Sequence, residues 1–478
     1  MARPSKSTLR IALLSVLLVC GGTLAYGFAN AGTQTGVADR AAATANESDG
    51  IETATTTNAT PTSGTSAHSL SGTEITVVAT QGFYVSDERA ELLAVTRNGS
   101  VVYYDDTYRV YFDVDPVQGE RYTVEYVASS HFSGAACSEF EANRCTRNVV
   151  ERVNLTTGDS TTVYEKLTPR VYSARWHDAD RINETHLAVA DIVHDRVYVV
   201  DTRTDEITWQ WNASEDFPRD SGGDRGDWTH VNDVEVLADG RLMISLRNQD
   251  QVVFVDPESG LNESLTLGSD DDHETLYEQH NPDLIRGPSG EPNVLVADSE
   301  NNRILEYQYS NTTWNRTWTW RDASLQWPRD ADRLPNGNTL VVDTHGDRVV
   351  EVDPRDRVVW SLQIGMPYDV ERLGTGDESS GPIADRRLAA SRNASGHDEP
   401  ESGVVGRASD RLWLAMKTLA PSLVVNGLLY VAPQWVHFSD LVFAVASLLT
   451  ALAWVSLEWS WSRYSLRGGS RRLLARFR

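Results

Sequence analysis

The sequence predicts an all-β domain, a six-bladed β-propeller, carried between apolar N-terminal and C-terminal membrane segments. Three observations predict it. A unit of four short alternating strands recurs through the middle of the chain, punctuated by Gly, Asn, Asp or Pro at the turns. Helical periodicity is absent there, whereas both ends carry apolar runs. A lone innermost strand at the end of the repeat region, PYDVERL at 367–373, has its three missing partners at the beginning, in EITVVAT, AELLAVT and SVVYYDD of 74–106.

The elements follow in chain order. Residues 1–31 hold Arg3, Lys6 and Arg10 and then an apolar stretch. Ala29-Asn30-Ala31 is compatible with cleavage, so a signal peptide and an N-terminal transmembrane anchor are both open. Residues 32–70, almost devoid of bulky apolar side chains, read as a disordered Ser/Thr-rich stalk. The propeller is expected over 71–375, with blades opening at 108–115 and near His177, His230, His280 and Arg329. Pairing 367–373 with the strands of 74–106 closes the ring and removes its open edges. A polar linker is expected over 376–410. Residues 411–437 are apolar but interrupted by Lys417, Pro421, Asn426 and Pro433, and read as interfacial or re-entrant. A transmembrane helix over 438–461 precedes the arginine-rich tail 462–478, which the positive-inside rule places in the cytoplasm. The propeller then lies on the extracellular side of the cell membrane, in contact with membrane lipid. Ten Asn-x-Ser/Thr sequons from Asn46 to Asn393 agree with an outward, glycosylated domain.

The formal net charge is −25, with only three lysines among 43 basic residues, the pattern of a halophilic proteome. In molar salt the Debye length is ~3 Å, so a dense acidic surface repels itself little. Such a surface argues against nucleic-acid binding. Cys137 and Cys145 are close enough to form a disulfide in an oxidising exterior, while Cys20 lies in the first apolar run. Neither a metal nor another cofactor is expected, since Cys and His lack ligand spacing.

Against this acidic background three histidines and an arginine occupy one register of the repeat, in RWHDADRI, WTHVNDVEV, EQHNPDLI and WPRDADRL. Innermost strands line a propeller's channel, so His177, His230, His280 and Arg329, with Tyr368 of PYDVERL, converge on one opening. Asp180, Asp233, Asp283 and Asp332, three positions later, read as acceptors for the backbone of the next blade. His273 and His345 stand in loop contexts and are expected to be solvated.

The stretch WTHVNDVEVLADGRLMISLRNQ, 228–249, resembles the arylsulfotransferases, six-bladed propellers that move a sulfuryl group between phenols without a nucleotide donor. The resemblance rests on His230 and Asn232, followed one hairpin later by Ser245 and Arg247, and on Gln279-His280. It implies an aryl sulfate donor, a phenolic or hydroxyl acceptor, and transient sulfation of His280. His177, His230 and Arg247 then complete the catalytic set, and Asn232, Arg329 and Tyr368 contact substrate. The resemblance covers the propeller only. A non-catalytic surface propeller that binds glycan or protein is the alternative, and a lyase or hydrolase of similar outline a third; fold alone does not separate them.

Overall fold

A computed structural model describes residues 5–31, 52–54, 72–82, 90–287, 290–384, 413, 415–417, 419–433 and 435–462. Most of the expected stalk, the bulk of the 376–410 linker and the basic tail from Arg463 onward lie outside the described residues. So do the sequons at Asn46, Asn58 and Asn393.

The chain forms two compact units. One holds helix α1 (Lys6–Ala31) and helix α3 (Phe438–Trp461), which pack along each other, with Arg10 donating from Nη2 to Glu458 at 2.7 Å. Both are long and apolar enough to cross a membrane. The other unit is the propeller with a short helix α2 (Ser422–Val431).

Six antiparallel sheets make the propeller. Blade 1 pairs innermost strand Pro367–Arg372 with Ile75–Thr80, followed by Leu92–Thr96 and Val101–Asp105. The pairing sets Val370 opposite Val78 and Arg372 opposite Thr76, so the ring closes as its sequence pattern requires. Blade 2 opens with Val110–Pro116, blade 4 with Val231–Val236, blade 5 with His280–Arg286 and blade 6 with Pro328–Arg333. The regular innermost strand of blade 3 is only Arg181–Asn183, but Ala188 and Ala190 still donate to the carbonyls of Asp180 and Asp178, which extends the pairing toward His177. Three residues of the expected stalk, Glu52–Ala54, add a parallel strand beyond Val358–Gln363 of blade 6.

Alternating side chains fill the spaces between blades. Val78, Leu93 and Val370 of blade 1 meet Leu340, Trp360 and Leu362 of blade 6, all fully buried. Each such side chain contributes ~1.5–3 kcal/mol relative to exposure. The Cys137–Cys145 disulfide ties a turn on blade 2, with the two Cα atoms 5.5 Å apart.

Carboxylates near the axis latch each blade to the next. Asp369 accepts from Val114 N (2.7 Å), Asp113 from Ala179 N (3.3 Å), Asp180 from Val236 N (2.5 Å), Glu235 from Leu284 N (2.9 Å) and Asp330 from Val370 N (3.2 Å). Asp178 accepts from Val234 N. Between blades 5 and 6 the link runs through Ser379, which accepts from Arg333 N (2.7 Å) and donates its own N–H to Asp283 (3.1 Å). The expectation for the four aspartates is thus met by Asp180 and, indirectly, by Asp283. Asp233 and Asp332 instead each leave a buried oxygen without a hydrogen-bond partner among the described residues. The aspartates one position after the site residue take much of that role, because the bulge at the start of each inner strand shifts the register there.

Candidate functional site

One residue in or just before the innermost strand of each blade joins a single buried cluster. Five are those read from the repeat, and the sixth is Phe112, which stands at the same register in FDVD. Phe112 lies 4.3 Å from His177 and 4.7 Å from Tyr368, ring centre to ring centre. His177 is 5.1 Å from His230 and 5.6 Å from Tyr368, and His280 is 6.1 Å from Tyr368. Phe112 and Tyr368 thus form an aromatic arc facing the histidines and Arg329. All six are buried, with Arg329 and Tyr368 at 4% and 1% exposure.

Backbone strain aims the ring. Glu278, Trp327 and Met366, each two positions before its ring residue, are left-handed at φ 47°, 57° and 49°, as is His230 at 48°. Such conformations cost of order 1–3 kcal/mol and persist only where the surroundings fix them. The fixing group is repeated too. Asp250, Asn302 and Asp347 accept from the N–H of Glu278 (2.8 Å), Trp327 (2.8 Å) and Met366 (3.0 Å), and Asp195 accepts from Thr229 N (3.1 Å). These four acceptors are themselves left-handed, at φ 50–54°. They stand in HDRV, QDQV, NNRI and GDRV, a short motif in the turn between the second and third strands that the blade repeat contains but that was not read from it.

Hydrogen bonds assign the tautomers of His280 and His230. Nδ1 of His280 lies 3.0 Å from the Glu278 carbonyl and 2.9 Å from Ser299 Oγ, whose own proton goes to the Pro328 carbonyl. A carbonyl can only accept, so Nδ1 carries the hydrogen and Nε2 presents a lone pair. Arg329 Nη1 donates to that Nε2. Nδ1 of His230 donates to Asp227 Oδ1 at 2.7 Å, leaving its buried Nε2 without a hydrogen-bond partner among the described residues. His177 Nδ1, Arg329 Nε and the Tyr368 hydroxyl are likewise buried without one among the described residues. Each such atom costs about 1–3 kcal/mol if it stays unpaired, so their clustering marks this point as a candidate site for a polar ligand.

All three imidazoles are held neutral. Burial, then Arg329 and Arg247, pushes His280 well below its usual range. Burial, His230 and Arg175 do the same to His177. Burial and Arg247 lower His230 against the pull of Asp227. Burial also draws Arg329 down to about 10, which keeps it cationic at neutral pH. Arg247 lies within electrostatic reach of the histidines and is steadied by Glu278 (3.5 Å) and Asp227 (4.0 Å), with Nε donating to Asn248 Oδ1 at 2.9 Å. Asn232 is turned to structure: its Nδ2 donates to the Gln279 carbonyl at 3.0 Å, holding the strand that carries His280.

Two neighbours were not anticipated. Trp327 lies under Arg329, whose Cζ is 3.6 Å from the indole centre. His345, expected in solvent, is buried and stacks on Trp327 at 4.3 Å, because the turn after Asp343 folds inward over the opener of its own blade. His273 keeps a half-exposed loop position beside Asp250.

Residues 176–365 match the arylsulfotransferase (ASST) family. That span holds every histidine of the ring, Arg247 and Arg329, and it supports the arylsulfotransferase family and a sulfuryl-transferring enzyme. It is less than half of the chain. No curated protein matches. Similar solved structures include a protein of unknown function from Bacteroides caccae, at 12% identity and TM-score 0.44, covering 63% of this chain and 100% of that one. The periplasmic gluconolactonase of Pseudomonas aeruginosa follows, at 13% and 0.41 over 64% and 100%. An inactive virginiamycin B lyase from Staphylococcus aureus is another, at 8% and 0.35 over 62% and 84%. All are remote in sequence.

Proposed function

We propose that this chain is a membrane-anchored arylsulfotransferase of haloarchaeal type, which moves a sulfuryl group from an aryl sulfate to a phenolic or hydroxyl acceptor through sulfated His280. The observation that carries the reading is the convergence of a neutral His280, its Nε2 lone pair directed to the site, with Arg329, His230, His177 and Tyr368 in one buried ring.

In the first half-reaction His280 Nε2 attacks sulfur, the bond from sulfur to the aryl oxygen breaks, and the phenolate departs to take a proton from solvent. Arg329 exchanges its contact with Nε2 for a sulfuryl oxygen. Arg247, the Tyr368 hydroxyl and His177 meet the peripheral charge of a loose transition state. The Nδ1–H bond to the Glu278 carbonyl stabilises the ring as positive charge develops on it. In the second half-reaction an acceptor hydroxyl gives its proton to His230 Nε2, with Asp227 behind, and its oxygen takes the sulfuryl group as the bond from nitrogen to sulfur breaks. Asn232 acts on this set by positioning the His280 strand rather than by touching substrate.

The membrane arrangement in this reading has the propeller outside, glycosylated at its sequons, and the Arg463–Arg478 tail in the cytoplasm. The test of the chemistry is mass spectrometry of the chain quenched after a chromogenic aryl sulfate and before a phenol. One added sulfuryl group on His280 is expected. With His280→Ala both the adduct and turnover should vanish, and full activity in that variant overturns the assignment.

A further inference from the structure

Beside the ring lies a cavity of about 580 Å³, within the usual range for a small-molecule site. Arg109, Arg144, Arg175 and His131 line it together with Tyr172 and Tyr430, and among the described residues no carboxylate does. In a chain of net charge −25 such a pocket is a built exception. Arg175 Nε and His131 Nε2 are buried in its wall without a hydrogen-bond partner among the described residues. Burial, then Arg175, Arg109 and Arg144, holds His131 down at about 4, so it offers a neutral donor among fixed cations. Arg175 reaches the ring directly: its Cζ is 5.5 Å from the centre of Phe112, which touches His177.

Tyr430 comes from α2, and α2 is bound to the propeller next to the site. Its buried Asn426 donates to Glu300 at 2.9 Å and accepts from Gln326. Tyr430 packs on Trp327 at 5.8 Å, and Lys417 just before the helix donates to the Leu325 carbonyl at 2.7 Å. The other side of the segment is bare: Leu419, Leu423, Val424 and Leu428 are each half-exposed or more. In sequence only residues 432–437 separate α2 from the spanning-length α3. An apolar helix face that closely followed by a spanning-length helix has the character of an interfacial segment.

We infer that the cationic pocket seats the phosphate-type headgroup of a membrane lipid and that this lipid, through a headgroup hydroxyl, is the acceptor at His280. The inference rests on the sulfotransferase reading for its second half only. The headgroup oxygen forms the new bond to sulfur, the bond from His280 nitrogen to sulfur breaks, and the hydroxyl proton passes to His230.

The experiment uses the full chain in detergent with dihexanoylphosphatidylglycerol, dihexanoylphosphatidylcholine or glycerol 3-phosphate, read by calorimetric binding and by transfer of labelled sulfate from an aryl sulfate. Phosphatidylglycerol is expected to bind at least tenfold more tightly than either alternative and to become labelled. Arg144→Gln should weaken that binding about tenfold, the loss of one charge-assisted contact, while transfer to a small neutral phenol stays within twofold and certifies the fold. Equal binding of the choline lipid overturns the anionic site. Equal binding of glycerol phosphate overturns the lipid. Unlabelled phosphatidylglycerol beside labelled phenol overturns the acceptor role. Transfer to no acceptor at all defeats the sulfotransferase reading, and the binding series then still decides the pocket.

Discussion

At the residue scale the site is a device for keeping imidazole uncharged beside fixed cations. Histidine is a useful nucleophile only when neutral, and the Glu278 carbonyl ensures that the lone pair sits on the nitrogen facing the ring. Asp227 does for His230 what that carbonyl does for His280, but with a charge, so His230 can accept a proton that His280 never carries. Asp227→Asn should therefore leave the sulfated intermediate forming at near its normal rate and slow its discharge to the acceptor by roughly 10²-fold, the size of a general-base contribution. Rapid-quench measurement of the two half-reactions checks this; equal slowing of both would mean that Asp227 only holds the fold.

At the scale of the element, four repeats of one turn set the geometry. A left-handed Asp or Asn between the second and third strands receives the N–H at the point where the chain enters the next blade, and three of those entries are themselves left-handed. In Asp347→Ala, both the charged hydrogen bond to Met366 N and a favourable left-handed residue are lost, which should cost about 2–4 kcal/mol. Asp347→Asn should cost much less, since Asn302 already serves in the neighbouring blade. Denaturant titration of the two variants distinguishes them. The strands, the ring closure and five of the six ring residues were legible because they recur at a fixed register, and a shared register survives in sequence. The sixth, Phe112, was passed over because an aromatic residue at that register reads as core rather than as site. The inward fold of Trp327 and His345 was not legible, because it depends on how their own turns pack, and the apolar segment holding α2 was legible only as a membrane-interface segment, since its docking runs through Asn426 to Glu300 and Gln326, about a hundred residues away.

At the scale of the molecule, acid runs down the axis beneath the ring. Burial raises Asp283 to about 6. Burial, with repulsion from neighbouring carboxylates, raises Asp180 to about 7, Asp369 to about 6, and Asp178, Asp233, Glu235 and Asp332 well above their usual range. A carboxyl raised in the folded state contributes stability that is present below its unfolded value and lost as pH rises through the folded one. The buried histidines act in the opposite sense, since their lowered values make stability rise with pH, but only up to about 6.5, where unfolded histidine stops binding protons. From there to about pH 8, where Lys417, lowered to about 8 by burial, begins to act in the opposite sense, the carboxylates dominate. The thermal midpoint in low salt should therefore fall between pH 6.5 and 8, and molar salt should shrink the fall by screening. A flat midpoint across that interval in low salt would show that these groups do not titrate with folding.

The strand pairing that closes the ring also sets a clock. Arg372 Nε donates to Thr76 Oγ1 across 296 residues of sequence. At a synthesis rate of about 5–20 residues per second, Ile75–Thr80 waits roughly 15–60 s after emerging before its partner exists. Until then the first three strands expose an unpaired edge of Val, Ala and Thr, the kind of edge on which chains pair with one another. Closure of the ring thus waits on both ends of the propeller, and residues 75–80 are the edge at which two nascent chains on one message would pair if it is not shielded in the interval.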